Sequence, residues 1–207
     1  MNKKTKNHLR TVSIAATSAI PILGGPISVL LDEYLPSYIK DKRDDFLNKL
    51  NVELEEVEKM QGKIDLSSHK FISTFLKAGR IALEEIDEYK MSCVRNIILN
   101  SAVPDSKDFN EATLFLNWIR DFTIDQIRIL KSVRDIDEVS YLNDSHLEKA
   151  LVKVFPDVKI DYLTILAREL GVKNIIKYQP SKSNNNKRWF LTDIGERFVS
   201  YIEFPKP

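Results

Sequence analysis

A mainly α-helical protein is expected from this chain: an N-terminal helical bundle followed by a winged-helix (α+β) unit with one β-hairpin. Three observations lead there. Apolar residues make up 43% of the 207 residues and charged residues 29%, with only 6 glycines, the composition of a helix-rich globular chain. Apolar residues recur at three- and four-residue spacing along most of the sequence. After Gly171 that period gives way to two short strand-like runs, Ile175–Tyr178 and Trp189–Leu191, separated by the polar, basic loop Pro180–Arg188. The chain divides into a basic arm and uncharged segment (1–31), a helical body (32–122) and the winged-helix-like unit (123–207).

Lys3, Lys4, Lys6 and Arg10 form the basic arm, and Thr11–Leu31 is a run of 21 residues without a charge. Pro21, Gly24, Gly25 and Pro26 lie in the middle of that run and disfavour a straight membrane span, because proline removes a backbone donor and clashes with the preceding turn. A secretory signal is equally poor: Ser13, Thr17 and Ser18 dilute the apolar part, and no small-x-small cleavage site leads into a mature start. The spacing predicts a short helix at Val12–Ile20, a turn, and the start of a second helix over Ile27–Lys40. Ile20, Ile22, Leu23, Ile27 and Leu30 are the candidate membrane or partner contacts. Two destinations stay open for them: the protein's own core or a partner, and the shallow interface of an anionic membrane, helped by the basic arm.

In the body, Tyr38–Met60 reads as one long charged helix with a narrow stripe of Phe46, Leu47, Leu50, Leu54 and Val57, ended by Gly62. The stripe suits a neighbouring helix of the same chain or its copy in a homodimer. Asp65 or Ser67 is expected to cap the next helix. Its apolar stripe runs through Phe71, Phe75, Ala78, Ala82, Ile86, Tyr89, Cys93 and Ile97, and Gly79 predicts a break into His69–Ala78 and Leu83–Ser101, with Arg80 one turn from Glu84. Pro104 stops this element, Val103–Asn110 is a polar connection, and Glu111–Phe122 is a short helix expected to bury Leu114, Phe115, Trp118 and Ile119.

The last unit opens with amphipathic stretches at Ile124–Arg134, Ser145–Phe155 and Asp161–Leu170 and closes, after the hairpin, with a helix capped by Thr192. There Gly195 is expected to allow close approach to the hairpin, while Phe198 and Val199 enter the core. In a nucleic-acid-binding winged helix the helix before the hairpin enters the major groove and the loop between the strands touches phosphate. Lys177, Lys182, Lys187 and Arg188, with Arg168 on the helix, are therefore the candidate nucleic-acid contacts. From Gly171 onward seven basic residues face three acids, but between Asp144 and Leu170 five acids face four bases, a surface that a duplex repels. That imbalance favours use of the unit for protein docking.

No constellation for catalysis appears. His8, His69 and His146 are scattered, and Asp65 with His69 reads as a capping carboxylate beside an exposed ring rather than a metal pair. Glu84, Glu85, Asp87 and Glu88 read as a solvated helix opening favoured by the dipole. Gly24-Gly25 lacks the lysine of a phosphate loop, and Cys93 lies in an apolar stripe with no neighbour to lower its pKa. A non-enzymatic protein without cofactor or metal is expected, and the single cysteine favours the reducing cytoplasm, with membrane association at most peripheral.

The order of segments resembles the abortive-infection alpha family, a group of bacterial helical proteins. The resemblance rests on Ile20-Pro21-Ile22-Leu23-Gly24-Gly25-Pro26, a long charged helix, and the acidic opening that leads to Asn96-Ile97-Ile98-Leu99-Asn100-Ser101-Ala102. It continues in Phe122-Thr123-Ile124-Asp125-Gln126-Ile127-Arg128-Ile129-Leu130 and Leu191-Thr192-Asp193-Ile194-Gly195-Glu196-Arg197-Phe198-Val199. What the resemblance implies is antiviral defence against phage, through growth arrest or cell death after infection, with no catalytic residue carried over. The leading expectation is a phage-defence protein acting through a protein or membrane target; the alternative is a winged-helix DNA-binding transcriptional regulator.

Overall fold

The computed structural model describes residues 37–103, 109–136, 151–152, 154–180 and 187–206. The expected N-terminal helices before Ser37, the contact set Ile20, Ile22, Leu23, Ile27 and Leu30, most of the stretch Ser145–Phe155 and the loop residue Lys182 lie outside the described residues. What is described is mainly helical, with one small antiparallel sheet. No helix among the described residues is long and apolar enough to cross a membrane.

Helix α1, Ser37–Gln61, buries the expected stripe of Phe46, Leu47, Leu50, Leu54 and Val57. It ends where Gly62 takes φ +80° and donates its N–H to the Glu58 carbonyl at 2.9 Å, a left-handed termination that glycine adopts without a Cβ penalty. Helix α2, His69–Glu84, is capped by Ser68, whose Oγ accepts the Phe71 N–H at 3.1 Å. The cap falls one residue past Ser67 and three past Asp65, whose carboxylate is already closing a turn, accepting from the N–H and hydroxyl of Ser67. The expected break at Gly79 does not occur: α2 runs through it. A mid-helix glycine costs about 1 kcal/mol relative to alanine, and the continuous buried face of Phe71, Thr74, Phe75, Ala78, Ile81 and Ala82 offsets that.

The chain breaks instead at Glu85–Asp87, and α3 (Glu88–Ala102) restarts with Asp87 as its cap, accepting the Lys90 N–H at 3.0 Å. Because the helical phase is lost at this junction, Ile86 falls off the expected stripe and is 89% exposed. Arg80 forms no ion pair with Glu84 among the described residues. Helix α4, Phe109–Asp121, buries Phe115 and Ile119 and half-buries Trp118, but Leu114 is exposed. Helix α5, Ile124–Ile136, opens with a reciprocal cap: Thr123 Oγ1 accepts the Gln126 N–H at 3.2 Å and Gln126 Oε1 accepts the Thr123 N–H at 2.9 Å.

Leu151, Val152 and Val154 are helical and lead to α6, Ile160–Val172. The helix passes Gly171, and the left-handed residue that turns the chain into the sheet is Asn174 at φ +59°. Strand β1, Ile176–Pro180, pairs antiparallel with β2, Lys187–Leu191, in the register Ile176 with Leu191 through Pro180 with Lys187. Helix α7, Asp193–Tyr201, then packs against α3, α4, α5 and β2. One hydrophobic cluster runs from Phe46 to Ile202 and crosses Phe122 without interruption. At its centre Phe198 meets Phe115, Trp118 and Phe122 edge-on, with ring centroids 5.3–5.9 Å apart.

Candidate functional site

The turn between α6 and β1 fixes how the hairpin stands. Thr192 caps α7 by accepting the Gly195 N–H at 3.2 Å, and its hydroxyl donates to the Asn174 carbonyl at 2.9 Å. Its own N–H donates to the Ile175 carbonyl at 2.9 Å. That carbonyl lies so close to Gly195 that a Cβ there would overlap it. The expected close approach is thus present, and it is the backbone of Ile175, at the root of β1, that requires it.

Of the five candidate nucleic-acid contacts, Lys177 is exposed on β1 and Arg168 is exposed on α6. The register sets Arg188 opposite Gln179 and Lys187 opposite Pro180. Backbone alternation therefore gives Arg188 a position of the same parity as Lys177, while Lys187 shares the parity of buried Ile176 and Leu191. Lys177 and Arg188 therefore hold register positions of one parity, and Lys187 holds a position of the other.

The outward face of α6 carries Asp161, Tyr162, Ile165, Arg168, Glu169 and Val172, against an inward face of Leu163, Leu166, Ala167 and Leu170. Three of the outward residues are large and apolar: Tyr162 is 42% exposed, Ile165 53% and Val172 88%. Val152 and Val154 are similarly exposed just ahead of the helix. Glu169 is held to the side, accepting the Gln126 amide at 2.9 Å. Sequence reading missed this row. Its signal was available, because a helix with Tyr162, Leu163, Ile165, Leu166, Ala167, Leu170 and Val172 holds more large apolar residues than one buried face accommodates.

The unit that presents this face is anchored to the body through α7 and the segment after it. Asn96 donates its amide to the Ile202 carbonyl at 2.8 Å, and Asn100 donates to the carbonyls of Tyr201 and Glu203 at 3.0 and 2.9 Å. These amides satisfy carbonyls that a helix C-terminus leaves without an intrahelical partner. Arg134 of α5 grips the Glu203 carboxylate with both terminal nitrogens, and that hydrogen bond holds Glu203 below the ordinary carboxylate range. Arg197 Nε meets Glu111 at 2.8 Å.

In the acidic cluster at the α2–α3 junction Glu84 and Glu88 are exposed as expected, and Glu85 departs from that reading. Glu85 is largely covered, accepting the N–H groups of Ile86 and Asp87 and pairing with Lys90 at 2.7 Å, while its main-chain oxygen accepts from Lys42. Glu88 reaches both Lys49 and Arg95. Buried Arg95 also meets Glu53 at 3.0 Å, yet burial outweighs the cation and raises the Glu53 carboxyl above its ordinary range. Cys93 is buried, and loss of solvation pushes its thiol up to about 11. Among the described residues no group of three or more His, Cys, Asp or Glu converges as metal ligands would. Comparison with protein families, with curated proteins and with solved structures found no match to this chain.

Proposed function

We propose that this chain is a bacterial phage-defence protein of the abortive-infection type that acts by binding another protein rather than by catalysis, and that its C-terminal unit is a winged helix used for docking. The order of α5, the helical residues near Leu151, α6, the hairpin and α7 supports the winged-helix reading. The observation that carries the docking reading is the outward row of Tyr162, Ile165 and Val172 on the helix that a DNA reader would lay in the groove. Bases are read by hydrogen-bonding side chains, and of these the row offers one cation, Arg168, against Asp161 and Glu169. An exposed apolar patch with a charged rim is what protein interfaces use.

The defence role rests on the resemblance of the segment order, and the test is a phage challenge of cells expressing the full chain. Ile165→Glu is expected to abolish protection while the purified variant keeps the wild-type melting temperature. Full protection by that variant would remove α6 as the docking surface. The basic arm and uncharged segment are assigned as the effector end, so deletion of Met1–Leu31 should also abolish protection while leaving a folded protein. Peripheral membrane contact predicts that full-length protein co-sediments with anionic vesicles.

A DNA-binding regulator is the second reading, favoured by the hairpin's formation and by exposed Lys177 beside the position of Arg188. For that function, charge reversal at Lys187 and Arg188 must weaken retardation of a duplex at low salt. An unchanged affinity ends it.

A further inference from the structure

We infer that the outward face of α2 is the docking surface for residues 27–34 of the same chain, which hold the effector end against the body; the regulatory meaning of this contact rests on the effector assignment above. Helix α2 carries two apolar rows. One is the buried face of Phe71, Phe75, Ala78 and Ala82. The other is Ile72, Leu76, Gly79 and Leu83, spaced four, three and four residues apart, with Ile72 37% and Leu76 50% exposed. That spacing forms the seam into which a second helix sets its side chains. Gly79 adds a notch, because nothing lies within 4 Å of where its Cβ would stand. A mid-helix glycine weakens the helix, and here it neither turns the chain nor lets a neighbour approach, so its use is the space it leaves.

Residues 27–34 fit this row by pattern and by reach. Ile27, Leu30, Leu31 and Tyr34 stand at i, i+3, i+4 and i+7, one apolar face of a two-turn helix. Pro36 disfavours helical backbone at Leu35, so that helix is a separate element from α1 and turns back on itself there. The chain enters α1 at Ser37, and Lys42 in the second turn donates to the carbonyls of Leu83 and Glu85, which puts the entry at the C-terminal end of α2, where the row finishes. The link from Leu31 to Ser37 spans up to about 20 Å, and the row from Ile72 to Leu83 is about 16 Å long at the rise of an α-helix. So short a tether gives an effective concentration in the millimolar range, at which a modest apolar contact is occupied. Charge agrees at the rim: Asp32 and Glu33 flank the apolar face of the segment, and exposed Arg80 stands beside the row on α2. Docked in this way, Ile27 and Leu30 are covered and unable to reach a membrane or a partner, so release from α2 is the step that arms the effector end.

The test is paramagnetic broadening in the full chain, with a nitroxide on His69→Cys, an exposed position one turn before Ile72 and at the far end of the row from the tether. Cys93 is buried and stays unlabelled. The amide resonances of residues 27–34 are expected to broaden, Ile27 more than Tyr34, because a segment entering from Ser37 runs antiparallel to α2. Adding Leu76→Glu on the exposed row, or Leu30→Glu in the segment itself, should abolish the broadening while the α3 resonances stay in place. No broadening, broadening that both variants retain, or broadening seen only when label and isotope are on different chains would each overturn the inference. Full protection by the deletion of Met1–Leu31 would remove the effector assignment and leave the contact standing, because the nitroxide reads it without phage.

Discussion

Helices α3 and α6 break the rule of apolar inside and polar outside in opposite directions. Helix α3 hides charge: Lys90 and Arg95 are buried on it, and Asn96 and Asn100 reach across to the chain's C-terminal segment. Helix α6 does the reverse, presenting Tyr162, Ile165 and Val172 to solvent. Each exception on α3 has an internal partner. Arg95 meets Glu53 and Glu88, Lys90 meets Glu85 and the Arg120 carbonyl, and the asparagines meet carbonyls beyond Tyr201. The exceptions on α6 face outward, so what explains α3 by folding is left, on α6, to be explained by binding.

The contrast predicts that polar substitutions on α3 destabilise the fold while polar substitutions on α6 do not. The largest expected effect is Arg95→Ala, which strands the half-buried Glu53 carboxylate and should cost about 3 kcal/mol, read as a lower urea midpoint. Because burial raises Glu53, the folded state of that variant should gain stability as the pH is lowered toward the raised pKa and lose it again as the pH rises through it. Gly195→Ala, inside the C-terminal unit but at its packed root, should cost about 2–3 kcal/mol because the methyl overlaps the Ile175 carbonyl. Wild-type stability there would show that the hairpin root relaxes freely.

Asn100→Ala removes three donor contacts and should cost about 1–2 kcal/mol. Amide exchange through the α7 C-terminus should speed up with it, and unchanged protection would mean the clamp is dispensable. Glu203→Gln should cost about 1 kcal/mol at neutral pH, discounted for partial exposure. Its sign with pH is fixed by the lowered pKa. The unfolded carboxylate takes up a proton near 4.5 and the folded one only below that, so wild-type stability from this pair is present above 4.5 and falls as the pH drops through the folded value. The variant should lack that part of the acid-side loss. At the small end, Ile165→Glu should change stability by no more than about 0.5 kcal/mol.

Local chemistry was legible in the sequence wherever it acts over a few residues. Gly62 ends α1, Thr192 caps α7, Phe198 and Val199 enter the core, and the two strands pair in the expected place. The break at Gly79 was misread because a propensity of one residue competes poorly with six buried side chains on the same face. The roles of Asn96, Asn100 and Glu85 were not legible, because their partners are set by tertiary packing rather than by spacing: Asn100 finds Glu203 more than a hundred positions away. The row on α6 stood in the sequence as an excess of apolar residues, but which of them turn outward depends on where α5 and the hairpin pack.

The most direct measurement is a phage challenge of cells expressing Ile165→Glu, set beside the urea midpoint of the purified variant. Lost protection at a wild-type midpoint is the predicted result. Full protection by a folded variant would contradict the claim that the outward row of Tyr162, Ile165 and Val172 is the binding face.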